Sequence, residues 1–448
     1  MKRFFVILTI CISNVNAQHW QDFSSPSVIS PYSLYYDSLT DTLYCGGRFI
    51  NLQLDTVWEV AFWTGVAWET LGDSDLGYPP LAIVKYNSSI YIGGDFPNTV
   101  GGSNYSVLRF NGQGWDSIPG APNGNVMTLE VFQNKLYVGG SFNSSQDPTV
   151  SNVQYYDGTS WFSMFTSGLW SVASVRKIKE WNGSLYVAGS WAWDSLGDYI
   201  MRWTGTVWDS LHHGITPSGD IGAGANALES YNGKLFAGGS FYPFNALDRN
   251  IQAWNGSDWE AVGGGSENAI YDLTVFENNL YAVGSFFHVG NKNIPAMHIA
   301  RWDGAKWCSL GSNINASCGR ILPYKGDLIV AGAFSIIDGN YFNKIAAWIG
   351  GNYADSCSTV GINENEHLLS EFYFYPNPSS SSITIEYPES SSPYRMVISD
   401  ALGREVKSAM LSLKTSHKEF ATSELSAGIY FVTIVSESGK VTKKFIKQ

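Results

Sequence analysis

The sequence is poor in charge, in cysteine and in long apolar runs, and each shortage excludes something. Charged residues fill only 15% of the 448 positions, and the basic ones are the scarcer, 27 Lys plus Arg against 39 Asp plus Glu. Between residues 18 and 370 the counts are 16 and 31, so this stretch would be repelled by a phosphate backbone. Nucleic acid is therefore not an expected partner. Beyond residue 17 nothing approaches the roughly 20 apolar residues that a helix needs to cross a bilayer. Of five cysteines, Cys11 lies in the first apolar run, while Cys45, Cys308, Cys318 and Cys357 permit three complete pairings or free thiols. Also missing are a glycine-rich phosphate loop, a paired-histidine metal signature, a nucleophile elbow and a calcium loop of the EF-hand kind. No cofactor is expected.

What is abundant points to strands. Aromatic residues make up 15% of the chain and glycine reaches 46, a balance suited to short strands and tight turns. The start is a separate matter. Lys2 and Arg3, the apolar run Phe4 to Ile12, and the small residues around Val15-Asn16-Ala17 have the layout of a secretory signal peptide over residues 1–17. Export also suits an oxidising compartment.

From Gln18 onward the chain repeats. An apolar strand ends in small residues followed by an aromatic at Gly46-Gly47-Arg48-Phe49, Gly93-Gly94-Asp95-Phe96, Gly139-Gly140-Ser141-Phe142, Ala188-Gly189-Ser190-Trp191, Gly238-Gly239-Ser240-Phe241, Val283-Gly284-Ser285-Phe286 and Ala331-Gly332-Ala333-Phe334. The second small residues are 47, 46, 49, 50, 45 and 48 positions apart. After each comes an aromatic, a turn with glycine and a tryptophan, as in Trp63 to Trp68, Phe110 to Trp115, Tyr156 to Trp161, Trp203 to Trp208, Trp254 to Trp259 and Trp302 to Trp307. The seventh copy, Trp348 to Tyr353, is weakened. Asn-Gly and Asp-Gly in these turns accept the positive φ of a tight hairpin. A second hairpin precedes each small-residue mark, so each repeat supplies four strands. The expected fold class is all-β, a seven-bladed propeller over residues 18–357. Trp20-Gln21-Asp22-Phe23 reads as a displaced outer strand that completes the last blade. The paired glycines with an aromatic and an outer-hairpin tryptophan resemble kelch and galactose-oxidase-like propellers over residues 20–353, with a shorter Asp-Gly turn than kelch. No Tyr and His constellation for an oxidase-type copper site stands out.

Residues 358–370 read as a polar linker. Beyond it, residues 371–448 alternate as a small Ig-like antiparallel β-sandwich. Its marks are Tyr375-Pro376-Asn377-Pro378, Leu402-Gly403-Arg404, Gly428-Ile429-Tyr430 and the basic pair Lys443-Lys444 near the end. In order and spacing they closely resemble the type A C-terminal sorting domain of the type IX secretion system. The resemblance implies an outer-membrane translocon and a surface sortase-like protease as partners, with attachment to a lipopolysaccharide anchor, and a final place outside the cell or on its surface.

Candidate binding residues follow from the loops. In a four-stranded blade the first and last hairpin turns share one side of the disc, and here they are short and repetitive. The other connections vary, as in Asn143 to Asn152, Leu211 to Ala225 and Phe287 to His298, and recognition on rigid scaffolds favours such loops. Trp170 and Trp193 lie there outside the repeat marks, and are the candidate ligand-binding aromatics for an extracellular glycan or protein. His212-His213, His288 and His298 lack a third metal ligand in sequence. Asp116-Ser117-Ile118 and Asp209-Ser210-Leu211 resemble bacterial O-glycosylation acceptors, and also recur as outer-strand residues. Two function classes follow: an adhesin or ligand-binding module, and an extracellular polysaccharide lyase or hydrolase.

Overall fold

The computed structural model describes residues 20–23, 28–50, 55–72, 75–96, 105–143, 151–164, 174–190, 199–211, 223–241, 248–291, 293–310, 312–349, 373–387, 394–400, 404–411, 417–436 and 439–448. Two units separate at Cys357 and Ser358. Among the described residues every regular element is a strand.

Among its described residues the first unit shows two short two-stranded sheets and seven four-stranded antiparallel ones. Their first strands are Val28–Asp37, Ala82–Tyr86, Asn123–Phe132, Ser174–Trp181, Gly224–Tyr231, Ile270–Phe276 and Cys318–Tyr324, and the sheets are numbered in that order. Each first strand lies beside the first strand of the next sheet, and the seventh lies beside the first, so the series closes. This is a propeller-like arrangement of repeated blades. The seventh sheet draws its outer strand from the start of the chain: Trp20–Asp22 pairs antiparallel with Ile345–Trp348, placing Trp20 opposite Trp348. Trp20 thereby fills the position that the weakened Tyr353 copy leaves in the sequence pattern.

Both repeated marks have a steric cause. In six of the seven sheets, all but the second, the second small residue sits where the second strand crosses a bulge in the first. A Cβ on Gly140 would lie 2.0 Å from the carbonyl oxygen of Asn125, and one on Gly189 1.9 Å from that of Ser174. No larger residue fits without moving backbone. The aromatic after it (Phe49, Phe96, Phe142, Phe241, Phe286, Phe334) is buried.

The tryptophan of each outer hairpin packs on its cross-strand partner, with ring centroids 5.4 Å apart for Trp63 and Trp68 and 5.5 Å for Trp302 and Trp307. It also fastens one sheet to the preceding one. Trp68 donates its indole N–H to the carbonyl of Phe23 at 2.8 Å, Trp115 to Leu71 at 3.2 Å, Trp208 to Met164 at 3.1 Å, Trp259 to Leu211 at 3.0 Å and Trp307 to Val262 at 2.7 Å. Trp161 alone among these has an unpartnered N–H. The matching carbonyl, of Ile118, accepts instead from Ala121 in the local turn.

The second unit is a pair of antiparallel sheets, one of Tyr373–Tyr375, Ser382–Glu386 and His417–Ala421, the other of Glu405–Leu411, Tyr394–Asp400, Gly428–Ser436 and Gly439–Lys447. Ile383, Ile385 and Phe420 from one sheet pack with Met396, Ile398, Val432, Ile434 and Phe445 from the other, as alternating inward positions dictate.

Candidate functional site

In the second unit, residues far apart in sequence converge on one end of the domain. The Asn377 side chain donates to the carbonyl of Lys444 at 3.1 Å and accepts from the amide of Ile446 at 2.9 Å. Ser379 continues the clamp: its amide donates to Ile446 and its carbonyl accepts from Gln448, while its buried hydroxyl meets that of Thr422 at 2.8 Å. Pro376 and Pro378 flank Asn377. Gly428, Ile429 and Tyr430 lie opposite Lys447, Ile446 and Phe445, and the rings of Tyr430 and Phe445 stack at 5.5 Å. Tyr430 also pairs across to Asp400, whose carboxylate receives the Arg404 guanidinium at 2.7 Å. Lys443 and Lys444 stand on the closing strand. Leu402 and Gly403 lie outside the described residues. Ile429 and Ile446 form an exposed apolar pair, 47% and 38% accessible.

In the first unit, Trp170, Trp193, His212, His213 and Cys357 all lie outside the described residues. His288 meets Glu267 at 3.0 Å. His298 is buried, desolvation holds its imidazole below the usual range, and its Nδ1 has no partner. Among the described residues no three potential ligands gather around a metal position. The thiols are now distinguishable: Cys45 and Cys318 are free and buried, which pushes both up, whereas Cys308 is disulfide-bonded. Pairings that use Cys45 or Cys318 are thus removed from the expected set.

Two features escape the sequence pattern. Four residues before each outer-hairpin aromatic stands Glu59, Ser106, Asn152, Tyr199, Asn250, His298 or Lys344, one per sheet. Asn250 accepts from Phe241 at 3.0 Å and donates to Ser266 at 2.9 Å, fixing the loops on the side of the variable connections. Because only Asn152 and Asn250 share a residue type, the register is what reveals it. The second feature is charge on the first strands. Lys179 pairs with Glu229 at 2.8 Å, and burial raises the Glu130 carboxyl against the opposing pull of Lys177 and Lys179.

Residues 373–448 match the family described as "Secretion system C-terminal sorting domain". The tail is such a domain: it carries the protein to the type IX secretion machinery, and the destination is the cell surface or the extracellular space. No curated protein matches the chain. Among solved structures, the extracellular domain of a candidate one component system, BT4673, from B. thetaiotaomicron is 10% identical, with 95% of this chain and 74% of that one covered at a TM-score of 0.22. GH43B of the xyloglucan PUL of Bacteroides ovatus is 12% identical, with 95% and 92% covered at a TM-score of 0.29. At these scores neither defines a function for this chain.

Proposed function

We propose that the exported body is a seven-bladed, kelch-like propeller acting as an adhesin or ligand-binding module for an extracellular glycan or protein. The observation that carries this reading is the pairing of a surface-sorting tail with a rigid closed series of sheets whose connections on one side are long and varied. In this reading residues 1–17 are a signal peptide, 18–357 the propeller, 358–370 a linker and 371–448 an Ig-like sorting domain. A sortase-like protease removes the tail and links the body to lipopolysaccharide. Trp170 and Trp193 present aromatic faces to the ligand from the variable side. The test is a binding screen of the mature protein against glycans and matrix proteins, run beside assays for reducing sugar and unsaturated products from polysaccharides. A retained ligand without product supports the module. Product release would replace it with a polysaccharide lyase or hydrolase.

A further inference from the structure

Set beside the second sheet at matching register, the third sheet differs at three positions on one face. In the second and fifth sheets the first strand ends in a tyrosine that fastens the next sheet: Tyr86 donates to the carbonyl of Asn134, and Tyr231 to that of Asn278, both at 3.1 Å. The third sheet has Phe132 there, as the sixth has Phe276, with no hydroxyl to offer. On the third strand, Arg109 and Arg202 of the second and fourth sheets each pair with an outer-strand aspartate, Asp116 at 3.5 Å and Asp209 at 2.6 Å. The third sheet replaces the arginine with Tyr155 and the aspartate with Phe162, whose rings stack at 4.9 Å. The fifth sheet pairs Lys234 with Glu260. The matching Lys135 faces no carboxylate among the described residues, and its ammonium lies 4.3 Å from the Tyr155 ring centroid.

Two of the three differing residues, Phe132 and Tyr155, line a cavity of about 360 Å³ between the third and fourth sheets, and Phe162 stacks on Tyr155. Phe132, Lys135 and Tyr155 form one wall. Ser184, Trp203 and Thr204 of the fourth sheet face them. The volume is at the small end for ligand sites. Aromatic rings that can take the apolar face of a ring, hydroxyls to either side, one ammonium and no carboxylate among the described lining residues select for a small, ring-shaped, anionic ligand.

We propose that this seam binds an acidic sugar residue, its ring against Phe132 and Trp203 and its carboxylate on Lys135. The site rests on the reading of the body as a binding module, and it lies on the side of the short hairpin turns, away from the variable connections.

The test is titration of the mature protein with tri-galacturonate and, as the uncharged control, maltotriose. The acidic trisaccharide should bind at least tenfold tighter than the neutral one. Lys135→Gln should remove that preference. The double variant Tyr155→Arg with Phe162→Asp restores the ion pair of the neighbouring sheets, so it should keep the melting temperature yet lose binding by tenfold or more. Phe132→Tyr supplies the missing fastener and should weaken binding too. Equal affinity for both sugars, or unchanged affinity in Lys135→Gln and the double variant, overturns the site. Running the glycan and matrix-protein screen on wild type and double variant separates the two readings. A ligand held equally by both sinks the seam and leaves the module standing; polysaccharide cleavage with no retained ligand sinks the module.

Discussion

Glu59 occupies the first copy of the polar position that precedes each outer hairpin, and it is the one carboxylate there. It is 8% accessible, with Thr70 as a long hydrogen-bond donor at 3.4 Å and Asp75 as an unfavourable charge nearby. Burial pushes its carboxyl from 4.5 up to about 7, against the hydrogen bond from Thr70. A raised carboxyl binds its proton more tightly folded than unfolded. Stability attached to it is therefore complete below pH 4.5, falls as pH rises through about 7, and is gone above that. Ionising it in place costs roughly 3 kcal/mol. Glu59→Gln should accordingly raise the melting temperature by several degrees at pH 8 and leave it nearly unchanged at pH 4.5. Equal gains at both values would show that the side chain is not protonated in the fold. No sequence pattern marks Glu59, because the same position carries an alcohol, an amide, a phenol, an imidazole or an amine in other sheets.

At the scale of elements, much was legible because two residues answer to a demand of the backbone that recurs with every sheet. Gly140 and Gly189 have no steric alternative where two strands touch, and Trp115 and Trp208 reach equivalent carbonyls, of Leu71 and Met164, in the preceding sheets. Such constraints repeat at one period and can be read in a line of letters. The seam at Phe132, Tyr155 and Phe162 could not be, since each is an ordinary strand residue until the register sets it beside Tyr86, Arg109 and Asp116. The strand Trp20–Asp22 falls between these cases: its tryptophan is recognisable, and its partner is more than three hundred residues away. Trp20 is 2% exposed, meets Trp348 edge-on at 5.3 Å, and donates to the Ser312 hydroxyl at 2.8 Å. Trp20→Ala should cost about 3–5 kcal/mol, measured as a lower denaturant midpoint with the fold's strand signal retained. A loss under ~1 kcal/mol would mean the seventh sheet does not need its fourth strand.

For the whole molecule, the two units have separate cores, and the tail's core draws on its own two sheets. Deleting residues 371–448 should leave a folded body that no longer reaches the cell surface, read by surface proteolysis and by fractionation of a type IX-competent host. Surface display of the truncated chain would contradict the sorting role. The tail's marks were visible in sequence because Asn377, Arg404 and Lys444 each lie in a distinctive local setting. Their convergence was not visible, because it depends on Asn377 reaching across to the final strand.

The strand that completes the seventh sheet also sets an order of events. Trp20–Asp22 leaves the ribosome more than three hundred residues ahead of Ile345–Trp348, its ladder partner among the described residues. Until residue 348 has emerged, the first residues have nowhere to pair, and six sheets can form while the circle stays open with bare strand edges. Lengthening the intervening chain adds little to the entropic cost of joining its ends, since that cost grows only with the logarithm of length. The delay is one of supply. A chain threaded through a membrane with this end leading would stay an unclosed string of blades throughout passage, and would become a ring only when its last blade arrived.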